Sequence, residues 1–185
     1  MLLNNPGQII HNTMRLVESN RRSEIKLNAN GGNSILMVCD PIREMEYVAH
    51  LQELLPSETY SIIDLNKCLI EFVSSHKEEL VELYDLLQAS THEIFKAPAD
   101  EESQDLFKKI MACIHQAFQE GKIPTLIHAG ALYGTGIHNI HIVEHDIVMK
   151  AELPLIILYP ASIEPDRIMF LGKQPASKYR CMIIQ

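Results

Sequence analysis

Two short, almost wholly apolar runs constrain this chain most: Ser34-Ile35-Leu36-Met37-Val38-Cys39 and Pro154-Leu155-Ile156-Ile157-Leu158-Tyr159. A strand wetted on one face alternates apolar and polar residues, whereas a strand covered on both faces reads as a continuous hydrophobic run. Tyr60 to Leu65 and Thr125 to Gly130 are further strand-like runs. Helical spacing fills the gaps between them. Asp40-Pro41 supplies a cap and a first-turn proline, then Ile42, Met45, Val48 and Ala49 form an inner stripe that Pro56 ends. Asn66 caps a helix bearing Leu69, Phe72 and Val73, and Leu80, Leu83, Tyr84 and Leu87 mark another. Ser103 to Glu120 is a long helix with Phe107, Ile110, Met111, Ile114 and Phe118 inward, stopped by Gly121. Ile137, Ile140, Val143 and Ile147 support a last one.

Buried strands separated by helices need crossover connections, so the sheet is expected to be mostly parallel and covered on both sides. The expected fold is α/β: a three-layer α/β/α sandwich, Rossmann-like or P-loop-like in layout but lacking a phosphate loop. Arg167 to Leu171 and Tyr179 to Ile184 are joined by a short turn from Gly172 to Ser177. That turn is too short for a helix, so the pair is expected as an antiparallel edge hairpin. Ahead of the sheet, Asn5-Pro6 opens a helix over about residues 6–21 with Ile10, Met14 and Val17 on one face. The polar stretch from Asn28 to Asn33 breaks it off. Residues 1–30 are therefore an N-terminal helix and linker packed on one domain, residues 31–185. Ala97 to Glu102 is the most loop-like segment.

Composition narrows the function. With 185 residues, 46% hydrophobic and 22% charged, the chain is a globular domain and not a disordered tail. It can bury roughly 70% of its unfolded surface without disulfides or metals. Its net charge of −8 works against the counterion release that drives DNA binding, and Arg21-Arg22 is too small a basic patch. No direct DNA contact is expected. The start, Met1-Leu2-Leu3-Asn4-Asn5-Pro6-Gly7, has no basic or apolar leader pattern, and Leu153 to Tyr159 falls far short of the ~20 residues that span a bilayer. Cys39, Cys68, Cys113 and Cys181 form no C-x-x-C pair and sit in apolar surroundings, as buried reduced thiols do. A cytoplasmic protein with no membrane contact is expected.

Ligands of open α/β sheets sit beyond the carboxyl ends of the strands, here Asp40, Asp64, Gly130 and Pro160. A phosphate loop would need glycines and a lysine before Ser or Thr, but Asp40-Pro41-Ile42-Arg43 stands there. Asp40 and Asp64 could meet as an acid pair, or each could cap its own helix, the reading preferred. Gly130-Ala131-Leu132-Tyr133-Gly134-Thr135-Gly136 could hold an anion at a helix N-terminus, or its glycines could simply serve a tight turn. His138, His141 and His145 share one face if their helix is continuous, a row that zinc could use, though solvated or core histidines are preferred. Neither a metal nor a cofactor is expected. Glu78, Glu79, Glu82 and Asp85 form an acidic helix face suited to docking.

The same elements carry a family resemblance. Ser34-Ile35-Leu36-Met37-Val38 with Asp40-Pro41 and Glu44, Tyr60-Ser61-Ile62-Ile63-Asp64-Leu65, and Gly130-Ala131-Leu132-Tyr133 occur in order. Leu153-Pro154-Leu155-Ile156-Ile157-Leu158-Tyr159-Pro160 and then Leu171-Gly172 with Tyr179-Arg180 follow. In that order they resemble the BrxB family of BREX (bacteriophage exclusion) defence systems, over residues ~30 to 185. The chain departs from the family after the third strand, where Gly134, Thr135, Gly136 and Ile137 replace a tyrosine, proline, aromatic and arginine. Either His138 or His141 could be the histidine that follows. The resemblance implies context more than chemistry: a non-catalytic component of a phage-defence assembly, beside the phosphatase-like protein PglZ. The candidate binding residues are Asp40, Asp64, Gly130, Tyr133, His138, His141 and Arg180. The alternative is a small-anion or nucleotide-binding enzyme using Gly130 to Gly136.

Overall fold

The computed structural model describes residues 5–19, 22–87, 90–97, 104–176 and 180–185. Met1 to Asn4, Asn20-Arg21, Gln88-Ala89, Pro98 to Ser103 and Ser177 to Tyr179 lie outside them, and with them most of the loop-like segment and the tyrosine of the closing motif. In chain order the elements are α1 (Pro6–Glu18), α2 (Arg22–Asn28), β1 (Ser34–Cys39), α3 (Glu44–Leu54), β2 (Tyr60–Asp64), α4 (Leu65–Ser75), α5 (Lys77–Leu86) and α6 (Leu106–Gln119). Then come β3 (Ile123–Ile127), α7 (Asn139–Val143), α8 (Asp146–Met149), β4 (Leu155–Ile163), β5 (Ile168–Phe170), β6 (Gln174–Pro175) and β7 (Met182–Ile184).

The main sheet runs β2-β3-β4-β1-β7, every neighbour parallel. Side chains of a strand alternate between faces, so each central strand feeds two cores. Leu36 and Val38 of β1, with Leu155, Ile157 and Tyr159 of β4, enter one cluster beside α4 and α6. Ile35, Met37 and Cys39, with Ile156 and Leu158, enter the other beside α1, α2 and α3. All six β1 residues are buried, which is why that run shows no alternation. Each fully buried Ile or Leu contributes about 1.5–3 kcal/mol. The three-layer α/β sandwich is therefore the observed fold.

The caps at Asn5 and Asp40 fall where the sequence puts them, but α4 is capped by Asp64 and not by Asn66, which lies inside the first turn and gives its N–H to Asp64. Asn5 Oδ1 accepts the Gly7 N–H at 3.0 Å, and Asp40 Oδ1 accepts the Ile42 N–H at 2.9 Å. Gly121, at φ 70°, ends α6 with a backbone that L residues rarely adopt.

Three further expectations change. The antiparallel hairpin exists, but β5 pairs with the outer end of β4 (Ala161 with Phe170, Ile163 with Ile168) and with β6. The last strand, β7, instead lies parallel to β1, Ile35 opposite Met182. Without it β1 would be an edge with unpaired backbone groups in a buried setting, and Met182 and Ile184 would lose their packing on the second cluster. The inner stripe of α3 is also different: Ile42 is 92% and Met45 66% exposed, while Tyr47, Val48 and Leu51 are buried. A 3-10 turn over Pro41–Arg43 delays the α-helix to Glu44 and rotates its phase. Finally, the helix expected around Ile137 to Ile147 is two pieces, α7 and α8, interrupted at Glu144 and His145.

Candidate functional site

Asp40 and Asp64 both stand at carboxyl ends of strands, but β3 and β4 lie between β1 and β2. The two cannot form an acid pair. Each caps instead: Asp40 as described above, and Asp64 through Oδ1 accepting the Asn66 N–H at 2.9 Å and the Lys67 N–H at 3.3 Å.

The neighbour of Asp64 across the sheet is the end of β3, and there the next residue, His128, takes a left-handed conformation at φ 59°. That bend brings its Nδ1 to 2.9 Å from the same Asp64 Oδ1. An ionised carboxylate can only accept, so the ring Nδ1–H donates to it. Both side chains are about 17% exposed. Burial pushes the Asp64 carboxyl up, but hydrogen bonds from His128 and from the Lys67 and Asn66 N–H groups, with the His128 charge, outweigh it and hold the carboxyl below its ordinary range. Glu44, at the start of α3, completes the cluster. Burial raises its carboxyl, the His128 charge and backbone N–H pull it back only in part, and its Oε1 is buried without a hydrogen-bond partner. Two carboxylates driven in opposite directions around one oriented imidazole is an arrangement suited to moving a proton.

A carboxyl whose folded pKa exceeds its unfolded one binds its proton more readily in the folded chain. The stability it brings is full below the unfolded value and falls as pH rises through the folded value. Glu44→Gln is therefore expected to raise the Tm at pH 7 and to leave it unchanged near pH 4. Thermal melts of both chains at the two pH values check this, and a lower Tm at pH 7 would refute it.

The remaining sequence candidates are not gathered there. Gly130 lies in a 3-10 turn over Ala129–Leu132, and Tyr133 beside it is 54% exposed. Gly134 and Gly136 have φ of 83° and 74°, and a Cβ on Gly136 would lie 2.8 Å from His92 Cβ. Glycine there answers to backbone conformation and close packing. The helix that follows, α7, has five residues. The interruption at Glu144 and His145 means that His138, His141 and His145 do not share the face of one helix. His141 Nδ1 accepts the His138 N–H at 3.1 Å, and His145 Nδ1 accepts the Ile147 N–H at 3.2 Å. The rings of His141 and His145 meet Phe107 edge-on, at centroid distances of 6.4 and 5.9 Å. Burial lowers the His141 pKa, helped by the charges of Lys96 and His138. Among the described residues no group of three His, Cys, Asp or Glu is placed to hold a metal ion. Arg180 is exposed, and its backbone packs on Gly32.

A second surface of note lies away from the strand ends. α5 has no buried residue. Its Val81, Tyr84 and Leu86 are exposed, as are Ile70 and Val73 of α4. Val73, Leu80, Val81 and Tyr84 line a shallow groove of about 310 Å³ with Lys77 and Asp85. The exposed acids Glu78, Glu79, Glu82 and Asp85 share that helix. Among the described residues no helix is long and apolar enough to cross a membrane.

Comparison with known proteins gives no match to any family model, to any curated protein or to any solved structure.

Proposed function

We propose that the chain is a non-catalytic component of a prokaryotic BREX phage-defence complex, working in the cytoplasm through protein contacts, with a PglZ-like protein as its partner. The BrxB-like order of motifs supplies the context. The observation that carries the mode of action is α5, a helix that buries none of its own residues while exposing Val81 and Tyr84 beside four acids. Apolar surface rimmed by charge marks an interaction site. The acids favour a basic counterpart, speeding association and making it salt-dependent.

Replacing Val81 by Lys and Tyr84 by Ala is expected to abolish co-purification with the PglZ-like protein from cells expressing the defence genes. Because both side chains are exposed, stability should change by no more than about 0.5 kcal/mol each. Gel shifts at physiological salt should show no DNA binding by the isolated chain. Tight DNA binding with no partner recovered would overturn the proposal.

The Asp64–His128 pair beside Glu44 favours a second reading, an enzyme that uses His128 for proton transfer. An anion site at Gly130 to Gly136 is less favoured, because α7 is too short to present a helix N-terminus. His128→Gln separates the two readings. Defence lost with partner binding retained supports the enzyme, and defence retained supports the docking component.

A further inference from the structure

α4 and α6 pack side by side, and each contributes a cysteine to one place: Cys68, buried, and Cys113, half-buried. Both line a cleft of about 280 Å³ between β2, α4 and α6, with Asp64, Lys67 and Glu71 also in its wall. The two thiols interact directly there. Contact with Cys68, with help from the Lys109 charge, outweighs burial and draws the Cys113 thiol down, while contact with Cys113 and burial push Cys68 up. Lys109 is itself held by Glu71 at 2.8 Å. Half-buried Cys113, the sulfur more open to the cleft, and buried Cys68 beside it are the complement needed for a nucleophile and a resolving partner. The other two cysteines differ: burial pushes both Cys39 and Cys181 up to about 12.

We propose that Cys68 and Cys113 form a reversible dithiol–disulfide site that a peroxide oxidises. The Cys113 thiolate attacks one peroxide oxygen; the S–O bond forms as the O–O bond breaks, and the departing hydroxide takes a proton from solvent. Cys68 sulfur then attacks the sulfenic sulfur of Cys113. The S–S bond forms, the S–O bond breaks, and the hydroxyl leaves as water with the Cys68 proton. Two thiols lose two electrons and two protons in all, and the peroxide becomes two waters. A small dithiol reverses the step by exchange through a mixed disulfide. The bridge ties α4 to α6, and α4 also carries Ile70 and Val73 of the exposed apolar face.

The full chain treated with a few equivalents of hydrogen peroxide at pH 7, blocked and digested without reductant, tests this. The expected product is a Cys68–Cys113 linked peptide, with intact mass lower by two hydrogens, Cys39 and Cys181 still free, and reversal by dithiothreitol. Cys68→Ala should slow alkylation of Cys113 by iodoacetamide at pH 7 by about tenfold, as its thiolate fraction falls. In that variant peroxide should carry Cys113 past the sulfenic stage, and in Cys113→Ala it should leave Cys68 untouched. Four free thiols after treatment, oxygen gained without a cross-link in the unsubstituted chain, or a bridge to Cys39, to Cys181 or between chains would overturn the proposal.

Discussion

Asn33→Ala is expected to lower the Tm by roughly 6–12 °C, corresponding to about 3 kcal/mol in a chain of this size. Asn33 is 3% exposed and sits one residue ahead of β1. Its side-chain nitrogen lies 3.1 Å from the Val148 carbonyl, 3.0 Å from that of Ala151 and 2.9 Å from that of Leu153. Its own carbonyl accepts the Leu155 N–H at 3.0 Å. Two amide hydrogens thus serve three carbonyls and pin the turn between α8 and β4 to the start of β1, setting where the two central strands begin to pair. Alanine keeps the backbone bond but takes the donor from the Ala151 and Leu153 carbonyls, a loss of about 1–3 kcal/mol each, while the Val148 carbonyl retains the Ala151 N–H. Asn33→Asp should be worse at neutral pH, because a carboxylate facing three carbonyls has nothing to donate. The exposed Asn28, whose side chain donates to the Glu24 carbonyl, is the control: Asn28→Ala should cost no more than about 0.5 kcal/mol. Equal losses at the two positions would refute this reading of Asn33.

Asn33 shows where sequence reading stops. In the sequence it belongs to a polar loop, and only the return of the chain some 120 residues later makes it a core residue. The continuous apolar runs of β1 and β4 were legible because burial on both faces leaves a local mark, and so were the caps at Asn5, Asp40 and Asp64, which act within three residues. Stripe phase was less so. Three residues of 3-10 turn before α3 were enough to turn Ile42 and Met45 outward. The histidine row failed for a similar reason, since a side chain that caps a new helix at His145 ends the old one.

The site depended on strand order, which no local pattern states. Asp64 and Asp40 end successive strands in sequence, yet the partner of Asp64 is His128, because β3 and not β1 lies beside β2. His128 follows the third apolar run as directly as Asp64 closes the second. That shared position at strand ends was the available signal, but it becomes informative only once β2 and β3 are known to be neighbours. The two cysteines of α4 and α6 likewise look like ordinary core thiols in the sequence, since their facing each other follows from helix packing.

The last strand makes the same point and can be tested. Gly32→Ala is expected to peel β7 away from β1, at a cost of about 3 kcal/mol or roughly 6–12 °C in Tm. A Cβ at Gly32 would fall on the Arg180 carbonyl oxygen, 2.5 Å from its carbonyl carbon and 2.8 Å from Arg180 Cβ. Backbone atoms cannot rotate aside as a side-chain tip can, so the segment just ahead of β7 must move. Met182, Ile183 and Ile184, which pair with Ile35, Leu36 and Met37, would move with it, and Cys181, 6% exposed, would lose its cover. The adjacent Gly31 separates contact from backbone strain. It has φ 86° but nothing within 4 Å of where an alanine methyl would sit, so Gly31→Ala should cost only about 1–2 kcal/mol and leave Cys181 protected. Maleimide labelling of Cys181 under native conditions, set beside thermal melts, distinguishes them. Fast labelling in Gly32→Ala with slow labelling in Gly31→Ala is the expected result, and a protected Cys181 with an unchanged Tm in Gly32→Ala would show that β7 is not held by this contact.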